Sequence, residues 1–313
     1  MKYRKQEYKT TKKGRKIRHA LFLAELLFLA GILTGGSHLA MLEEKQPVSE
    51  EQVKTPVFSW ENYVTIAHAL GEVDGKTYLN SPEGFVKYYE KGVRLFEVDL
   101  VKTSDGVWVC RHSWNQSMGQ WETKGKNILS EADFLSRPLY GTYETMTLKD
   151  LFLLLKQYPD AFVLLDSKQY SIRNYQKTIE DYVEYMEIAK EADAREVLDQ
   201  LIPEIYNEAM FPGTALLYQF PSYIYSLWQE YSLEELEHIA DFCKEKGIPA
   251  VTVYREYWTE EIQQIFSRRE IFVYVYTVNE VAEAENYLQA GAAGICTDSI
   301  LREDLRKEKE DLE

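Results

Sequence analysis

The stretch GVRLFEVDLVKTSDGVWVCRH, residues 92–112, carries the pattern that decides the fold. Its first half is an apolar run interrupted by Glu97 and Asp99, which stand two residues apart. Side chains two residues apart on a β-strand point to the same face, so both carboxylates share one face and the apolar neighbours occupy the other. The stretch therefore predicts a strand that presents two acids to an interior face and apolar residues to a covering helix.

Similar apolar runs recur along the chain and alternate with amphipathic stretches. Strands and helices that alternate over about 240 residues match the size of a (β/α)8 TIM barrel, an α/β fold, and we expect that architecture. A doubly wound open sheet is the alternative, but no glycine-rich phosphate loop follows the first strand. Eight strands are predicted, at residues 63–68, 94–100, 161–166, 201–206, 214–220, 250–254, 271–278 and 293–297.

Capping residues between these strands mark the helix boundaries. Ser81, which precedes a proline, predicts the start of a helix that ends at Gly92. Ser232 begins a capping-box pattern for a helix that ends at Gly247, and Asn279 is expected to cap another helix. Further helices are predicted at residues 148–155 and 175–192.

The net charge is distributed unevenly along the sequence. The chain has 313 residues and a formal net charge of −15, but residues 1–19 hold nine Lys or Arg and one Glu, a net charge of +8. The other residues therefore carry −23. This acidic balance argues against a general nucleic-acid binder. Three widely spaced cysteines form neither a disulfide framework nor a zinc site, and we expect them to be small core residues.

Residues 20–42, ALFLAELLFLAGILTGGSHLAML, are mostly apolar and follow the basic segment. About 20 such residues cross a bilayer as a helix, and basic flanks stay in the cytoplasm. We therefore expect a single-pass cell-membrane protein with an extracytoplasmic domain. A cleaved signal peptide and a buried core helix are the alternatives. The expected organisation is a basic cytoplasmic tail at 1–19, a transmembrane signal anchor at 20–42, a linker at 43–60, the barrel at 61–303 and a charged tail at 304–313.

Polar residues stand near the ends of three predicted strands. His68 ends the first strand, Glu97 and Asp99 lie late in the second, and Asp166 ends the third, in VLLDSK, shortly before Lys168. The C-terminal ends of the strands form the active site of a TIM barrel. These residues therefore indicate an active site that contains three carboxylates.

Buried carboxylates are costly unless something neutralises them. A divalent cation with oxygen ligands is one solution. A structural network of ion pairs with Arg94, Arg111 or Lys168 is the other. His112 supplies a second imidazole beside His68, and two imidazoles with a cation suit the cleavage of a phosphodiester.

Four segments together resemble the glycerophosphodiester phosphodiesterases, a family related to the phosphatidylinositol-specific phospholipases C. They are IAHALG at 66–71, NSPEGF at 80–85, the stretch at 92–112, and VYVYTVNEVAEAENYLQAGAAGICTD at 273–298. The last is similar to the family's aromatic-Thr-x-Asn and Gly-x-x-Gly-I-x-T-D patterns. The resemblance spans about residues 63–298 and implies a TIM barrel that is a metal-dependent phosphoric diester hydrolase.

The resemblance also implies roles for eight residues. Two histidines would form the acid–base pair, three acids would hold one Mg²⁺ or Ca²⁺, and three residues would contact phosphate or line the pocket. The acid–base pair would be His68 and His112. The metal ligands would be Glu97, Asp99 and Asp166. Lys168 would contact the phosphate, and Asn80 and Tyr276 would line the pocket. A substrate hydroxyl would attack phosphorus, and water would open the resulting cyclic phosphate. The implied substrates are glycerophosphodiesters or related phospholipid or polymer headgroups, with the membrane as a further partner and no nucleic acid.

Four positions depart from the family pattern. Ala69 replaces an arginine that follows the first histidine, and Leu79 replaces an acid at the helix start. Ser113 replaces an aspartate, and Asp166 replaces a glutamate in an Asp-x-Lys pattern that resembles the spider-venom sphingomyelinase D group. These departures leave open a catalytically impaired barrel that binds an anionic glycan or lipid headgroup. A scaffolding protein of the cell envelope, which would use the anchor and a tyrosine-rich surface, is a further alternative.

Overall fold

Parallel strands close into a barrel in the computed structural model, which describes residues 55–122, 126–169 and 175–305. The strands are β1 (Thr65–Ala67), β2 (Leu95–Lys102), β3 (Trp108–Cys110), β4 (Phe162–Ser167), β5 (Leu201–Ile205), β6 (Ile224–Leu227), β7 (Ala250–Tyr254), β8 (Phe272–Tyr276) and β9 (Gly294–Thr297). Strand β1 pairs in parallel with both β2 and β9, which closes a ring of eight strands. Strand β3 lies outside the ring and pairs antiparallel with β2. The expected (β/α)8 barrel is confirmed.

Helices connect successive ring strands on the outside of the barrel. In the described part of the chain they are α1 (Pro82–Glu90), α2 (Glu131–Leu135), α3 (Leu148–Leu155), α4 (Tyr175–Glu191), α5 (Met210–Leu217), α6 (Leu233–Lys246), α7 (Glu260–Ser267) and α8 (Val281–Gln289). The predicted caps of α1 and α6 are confirmed. Ser81 accepts a hydrogen bond from the Gly84 amide, and Ser232 begins a reciprocal capping box that satisfies free amides of the first turn. Gly247 ends α6 in the left-handed conformation.

The predicted strand at residues 214–220 is wrong. Residues Met210–Leu217 form α5, and the strand follows later as β6. A short apolar run does not distinguish a buried helix from a buried strand by periodicity. Tertiary packing decides the outcome here, because α5 lies against α4 so closely that a Cβ at Gly213 would lie 2.1 Å from the Ile179 Cδ1 atom.

Aromatic side chains close the N-terminal end of the barrel. Phe58 and Trp60 precede β1, with their ring centroids 4.9 Å apart. The Trp60 indole N–H donates to Ser222 Oγ at 2.8 Å, and the Tyr274 hydroxyl donates to the carbonyl oxygens of Trp60 and Tyr63. This aromatic floor rests on an apolar layer of inward-facing strand residues, which fills the N-terminal end of the barrel interior.

The expected membrane anchor at residues 20–42 lies outside the described residues. Within the residues that are described, no helix combines the length and apolar character that a membrane span requires. The cysteine prediction is confirmed, since Cys110, Cys243 and Cys296 are free and buried.

Candidate active site

A cavity of about 290 Å³ opens at the C-terminal ends of the ring strands. Strand register brings the acidic residues together there, because Asp99 on β2 pairs with Asp166 on β4. Glu97 lies on the same face of β2, one inward-facing position deeper in the barrel. The sequence-predicted residues that line the cavity are His68, Glu97, His112, Asp166, Lys168 and Tyr276.

The three predicted acids form one cluster. Glu97, Asp99 and Asp166 each offer one carboxylate oxygen, and these oxygens all lie within 4.8 Å of one another. Lys168 reaches across the cluster, with its Nζ 2.8 Å from Asp99 Oδ1 and a hydrogen bond to Asp166 Oδ2. The hydroxyl of Tyr206 donates to the other oxygen of Asp166.

Burial and mutual repulsion act strongly on these groups. Burial, reinforced by Asp99 and Asp166, raises the pKa of Glu97 well above its usual value. Burial also opposes the ionisation of Asp99, but the ammonium of Lys168 holds the pKa of Asp99 below its usual value. The positive charge of Lys168 is therefore enough to lower the pKa of Asp99 but too little to offset the burial of Glu97.

A divalent cation fits this cluster. Glu97 Oε1 is buried and accepts no hydrogen bond from any described residue, while Glu97 Oε2 accepts one from the Ala69 amide at 2.7 Å. An all-oxygen donor set of carboxylates is the type that Mg²⁺ and Ca²⁺ prefer. Of the three cations considered for a structural ion network, Lys168 does pair with the acids. Arg94 pairs with Asp160 instead. Arg111 bonds to Gln120 and to backbone carbonyls.

His68 is held in place by a residue that the sequence analysis did not assign. Its Nδ1 lies 2.7 Å from Asp298 Oδ1, while its Nε2 lies 3.9 Å from Glu97 Oε2. Asn279 in turn donates to Asp298 Oδ2 at 2.6 Å and accepts from the Asp298 amide at 2.8 Å. The prediction that Asn279 caps α8 is wrong, because this side chain is used by Asp298 and the cap residue is Glu280.

Tyr78 lies between the two histidines. Its ring centroid is 4.7 Å from that of His68 and 4.9 Å from that of His112, in edge-to-face contacts. Burial, with the nearby carboxylates, raises the pKa of Tyr78 to about 12, so its hydroxyl keeps its proton. Burial lowers the pKa of His112, which favours the neutral imidazole. The two imidazoles thus flank the acidic cluster on one side of the cavity.

Solved structures share this architecture. A protein from Silicibacter pomeroyi assigned as a glycerophosphoryl diester phosphodiesterase has a TM-score of 0.62 and 18% identity, over 79% of this chain and 93% of its own. A glycerophosphodiester phosphodiesterase from Parabacteroides distasonis gives 0.60 and 16%, over 79% and 97%. The chain shares its fold with these two phosphodiesterases. An Oleispira antarctica phosphodiesterase, solved with its product sn-glycerol-3-phosphate, gives 0.58 and 14%, over 79% and 96%. No family model and no curated protein matches the sequence.

The predicted resemblance to the glycerophosphodiester phosphodiesterases is thus confirmed at the level of the fold. Asn80 takes a different position from the pocket-lining one that the resemblance implied. It is fully buried behind Asp99, to which its Nδ2 donates at 2.9 Å, and its Oδ1 accepts from the Asp99 amide at 2.9 Å. Asn80 therefore orients a carboxylate of the cluster and is not among the residues that line the cavity.

The other half of the barrel mouth comes from strands β5 to β8. Glu204 on β5 is buried, and its Oε1 accepts from the Thr252 hydroxyl at 3.4 Å. Burial, reinforced by Asp166, raises the pKa of Glu204 to about 8. The sequence analysis missed Glu204, although an acid inside an apolar strand is the same signal that identified Glu97. Aromatic residues line the cavity beside it, namely Tyr206, Trp228, Tyr254 and Tyr276.

Proposed function

We propose that this chain hydrolyses phosphodiesters, with His68 and His112 as the acid–base pair and a divalent cation held by carboxylates. The observation that carries the proposal is the convergence of two imidazoles, one lysine and three carboxylates at a single barrel mouth. The fold shared with phosphodiesterases supports the same reaction class. A phosphodiester needs a base for the attacking hydroxyl, an acid for the leaving oxygen and positive charge at phosphorus, and these groups supply all three.

The two histidines differ in how they are held. Because Asp298 accepts from Nδ1 of His68, the proton resides there and Nε2 is left to exchange a proton with the substrate. His112 lies across the Tyr78 ring, in surroundings that favour the neutral form, and is suited to accept a proton. We assign one histidine to each oxygen of the phosphodiester, on opposite sides of phosphorus. A substrate hydroxyl would form the new bond to phosphorus as the leaving alcohol takes a proton, and water would then open the cyclic phosphate.

The cation would be held by Glu97, Asp99 and Asp166 and would supply positive charge to the phosphoryl oxygens. Lys168 adds a second positive charge at the same place, through contacts that fix its ammonium beside two of these acids. Asn80 donates a hydrogen bond to Asp99, and Tyr206 donates one to Asp166, so these two acids are held in place. The proposed ion is Mg²⁺ or Ca²⁺, since both bind oxygen ligands.

The proposed substrates are glycerophosphodiesters or related phospholipid or polymer headgroups. One structural relative holds sn-glycerol-3-phosphate as its product, which supports a small phosphodiester here. From the sequence of residues 1–42 we further propose that the catalytic domain is anchored to the cell membrane and faces outward.

Hydrolysis by the purified full-length chain tests the proposal. The substrates are glycerophosphocholine and the glycerophosphoglycerol diester, whose glycerol carries the hydroxyl that the mechanism requires, with Mg²⁺ or Ca²⁺ added or removed by chelator. We expect turnover that chelator stops and that the His68→Ala, Glu97→Ala double variant lacks. His238→Ala is the matched control, since His238 is exposed and pairs with Glu208 outside the cavity. Turnover by the double variant at the rate of the control would contradict the assignment.

A binding protein without turnover is the second candidate. The observation in its favour is that Ala69 and Leu70, where the family has an arginine, are buried residues with positive φ and offer no cation to a phosphate. Calorimetry with sn-glycerol-3-phosphate distinguishes the two functions. Binding at several metal concentrations, with no hydrolysis of any diester, would favour the binding protein.

A further inference from the structure

The half of the mouth built by β5 to β8 contains a buried acid among hydroxyl groups. Glu204 is 6% exposed and faces the cavity beside Ser226 and Thr252. The Thr252 hydroxyl lies 3.4 Å from Glu204 Oε1 and 3.3 Å from Ser226 Oγ. The proposed mechanism uses none of these three residues, so their arrangement calls for a role of its own.

Glu204 forms no ion pair among the residues that the structure describes. The ammonium of Lys168 contacts Asp99 and Asp166 instead. None of the ion pairs formed within residues 55–122, 126–169 and 175–305 includes Glu204. A buried carboxylate without a cation beside it is costly. A ligand that brings a positive charge next to Glu204 would offset the cost of burying this carboxylate.

Aromatic rings surround the space in front of this acid. Three of these rings come two positions after an inward-facing strand residue, so they lie one row nearer the opening of the cavity. They are Tyr206, Trp228 and Tyr254. The rings of Tyr254 and Tyr276 have centroids 5.7 Å apart, on neighbouring strands. Aromatic faces attract cations, and such rings combined with a carboxylate favour an ammonium group.

We propose that Glu204 and these rings bind a positively charged ammonium group on the alcohol of the phosphodiester substrate. The proposal rests on the proposed hydrolase function, because it places the phosphate at the acidic cluster and the ammonium beside Glu204, on the strand next to that of Asp166. A cavity of about 290 Å³ accommodates a small alcohol of this kind. Glu204 is then the residue that selects the substrate.

An uncharged polyol is the competing ligand, since the hydroxyls of Ser226 and Thr252 could bond to it. A polyol would satisfy hydrogen bonds but would leave Glu204 without a counter-charge. The substitution Glu204→Gln separates the two cases, because glutamine keeps the shape and hydrogen-bonding capacity and removes the charge. A polyol site would tolerate this change, whereas an ammonium site would not.

The first experiment measures kcat/KM of the full-length chain for glycerophosphocholine, glycerophosphoethanolamine and the uncharged glycerophosphoglycerol diester. We expect the wild type to prefer a cationic substrate at least tenfold, and Glu204→Gln to reduce that ratio about tenfold. Glu204→Asp, which keeps the charge, should retain part of the preference. Glu208→Gln is the matched control, because Glu208 lies four residues after Glu204 but pairs with the exposed His238. The kcat/KM ratio of this variant for cationic over uncharged substrates should equal that of the wild type.

The second experiment measures binding of tetramethylammonium, by calorimetry and by tryptophan fluorescence, and does not depend on turnover. Wild type and Glu208→Gln should bind it, and Glu204→Gln should bind it at least fivefold more weakly. Equal binding by all three, or a Glu204→Gln ratio equal to that of the wild type, would overturn the proposal. If no diester is hydrolysed, the hydrolase function fails, and the binding data still decide the role of Glu204.

Discussion

The two halves of the barrel mouth are built from the same kind of strand but carry different chemistry. Strands β1 to β4 and the residues that follow them bring histidines, carboxylates and Lys168 together. Strands β5 to β8 bring one acid, two hydroxyls and a set of aromatic rings. In the proposed function, the first half would move protons and bind phosphate, whereas the second would recognise the charge of the substrate alcohol. Reaction type and substrate choice would then depend on different strands.

The largest expected effect comes from the first half. His112→Ala should lower kcat about 10²–10⁴-fold, because a positioned acid or base contributes about that much. The measurement is steady-state hydrolysis of glycerophosphocholine, with the exposed His238→Ala as control. A His112→Ala protein that keeps more than a tenth of kcat would remove the contrast between the two halves.

Cation binding should also belong to the first half alone. A divalent cation at one hundred times its Kd should stabilise the fold by about 2.7 kcal/mol, seen as a rise in Tm. Glu97→Gln should abolish that rise, whereas Glu204→Gln should keep it, although both residues are buried acids of one mouth. Equal loss of the metal-dependent rise in both variants would show that the halves share one cation site.

Asp298→Asn tests how the first half depends on a residue behind it. Asp298 acts through His68 and is a positioning residue, so kcat should fall about 10–100-fold, the usual cost of losing such a support, with KM nearly unchanged. Asp241→Asn is the control, since Asp241 pairs with Arg269 on the outer surface. A rise in KM with kcat intact would instead assign Asp298 to substrate binding.

The smallest expected effect comes from the second half. Tyr254→Ala should raise KM roughly fivefold and leave kcat nearly unchanged, because one aromatic contact with a ligand contributes about 1 kcal/mol. Tyr218→Ala, whose hydroxyl bonds to Asp199 away from the mouth, serves as control. A loss of kcat as large as that of His112→Ala would mean that Tyr254 takes part in the chemistry.

The first half could be predicted from the sequence because its signals are local. Glu97 and Asp99 share a strand face by their spacing alone, and Asp166 and Lys168 repeat that pattern on the next ring strand. The caps at Ser81 and Ser232 are equally local, and both are confirmed.

Several features that escaped prediction depend on distant contacts. Asp298 meets His68 across 230 residues of sequence, so its spacing carries no hint of the pairing. The resemblance implies a pocket position for Asn80, and local capping rules predict a helix cap at Asn279, but each side chain bonds to a carboxylate 19 residues away. The misplaced strand at 214–220 has the same origin, because packing against α4 decides between two structures that the apolar run allows.

The aromatic floor of the barrel determines how far the gene could be shortened. A fragment that starts at residue 61, the expected edge of the domain, would lack both Phe58 and Trp60. Their removal would uncover Phe162 and leave the Tyr274 hydroxyl with one acceptor fewer. Loss of a buried tryptophan commonly costs about 3–5 kcal/mol, much of the stability of an ordinary domain. Expression of the barrel should therefore begin upstream of Phe58, so that the fragment keeps the aromatic residues that close its N-terminal end.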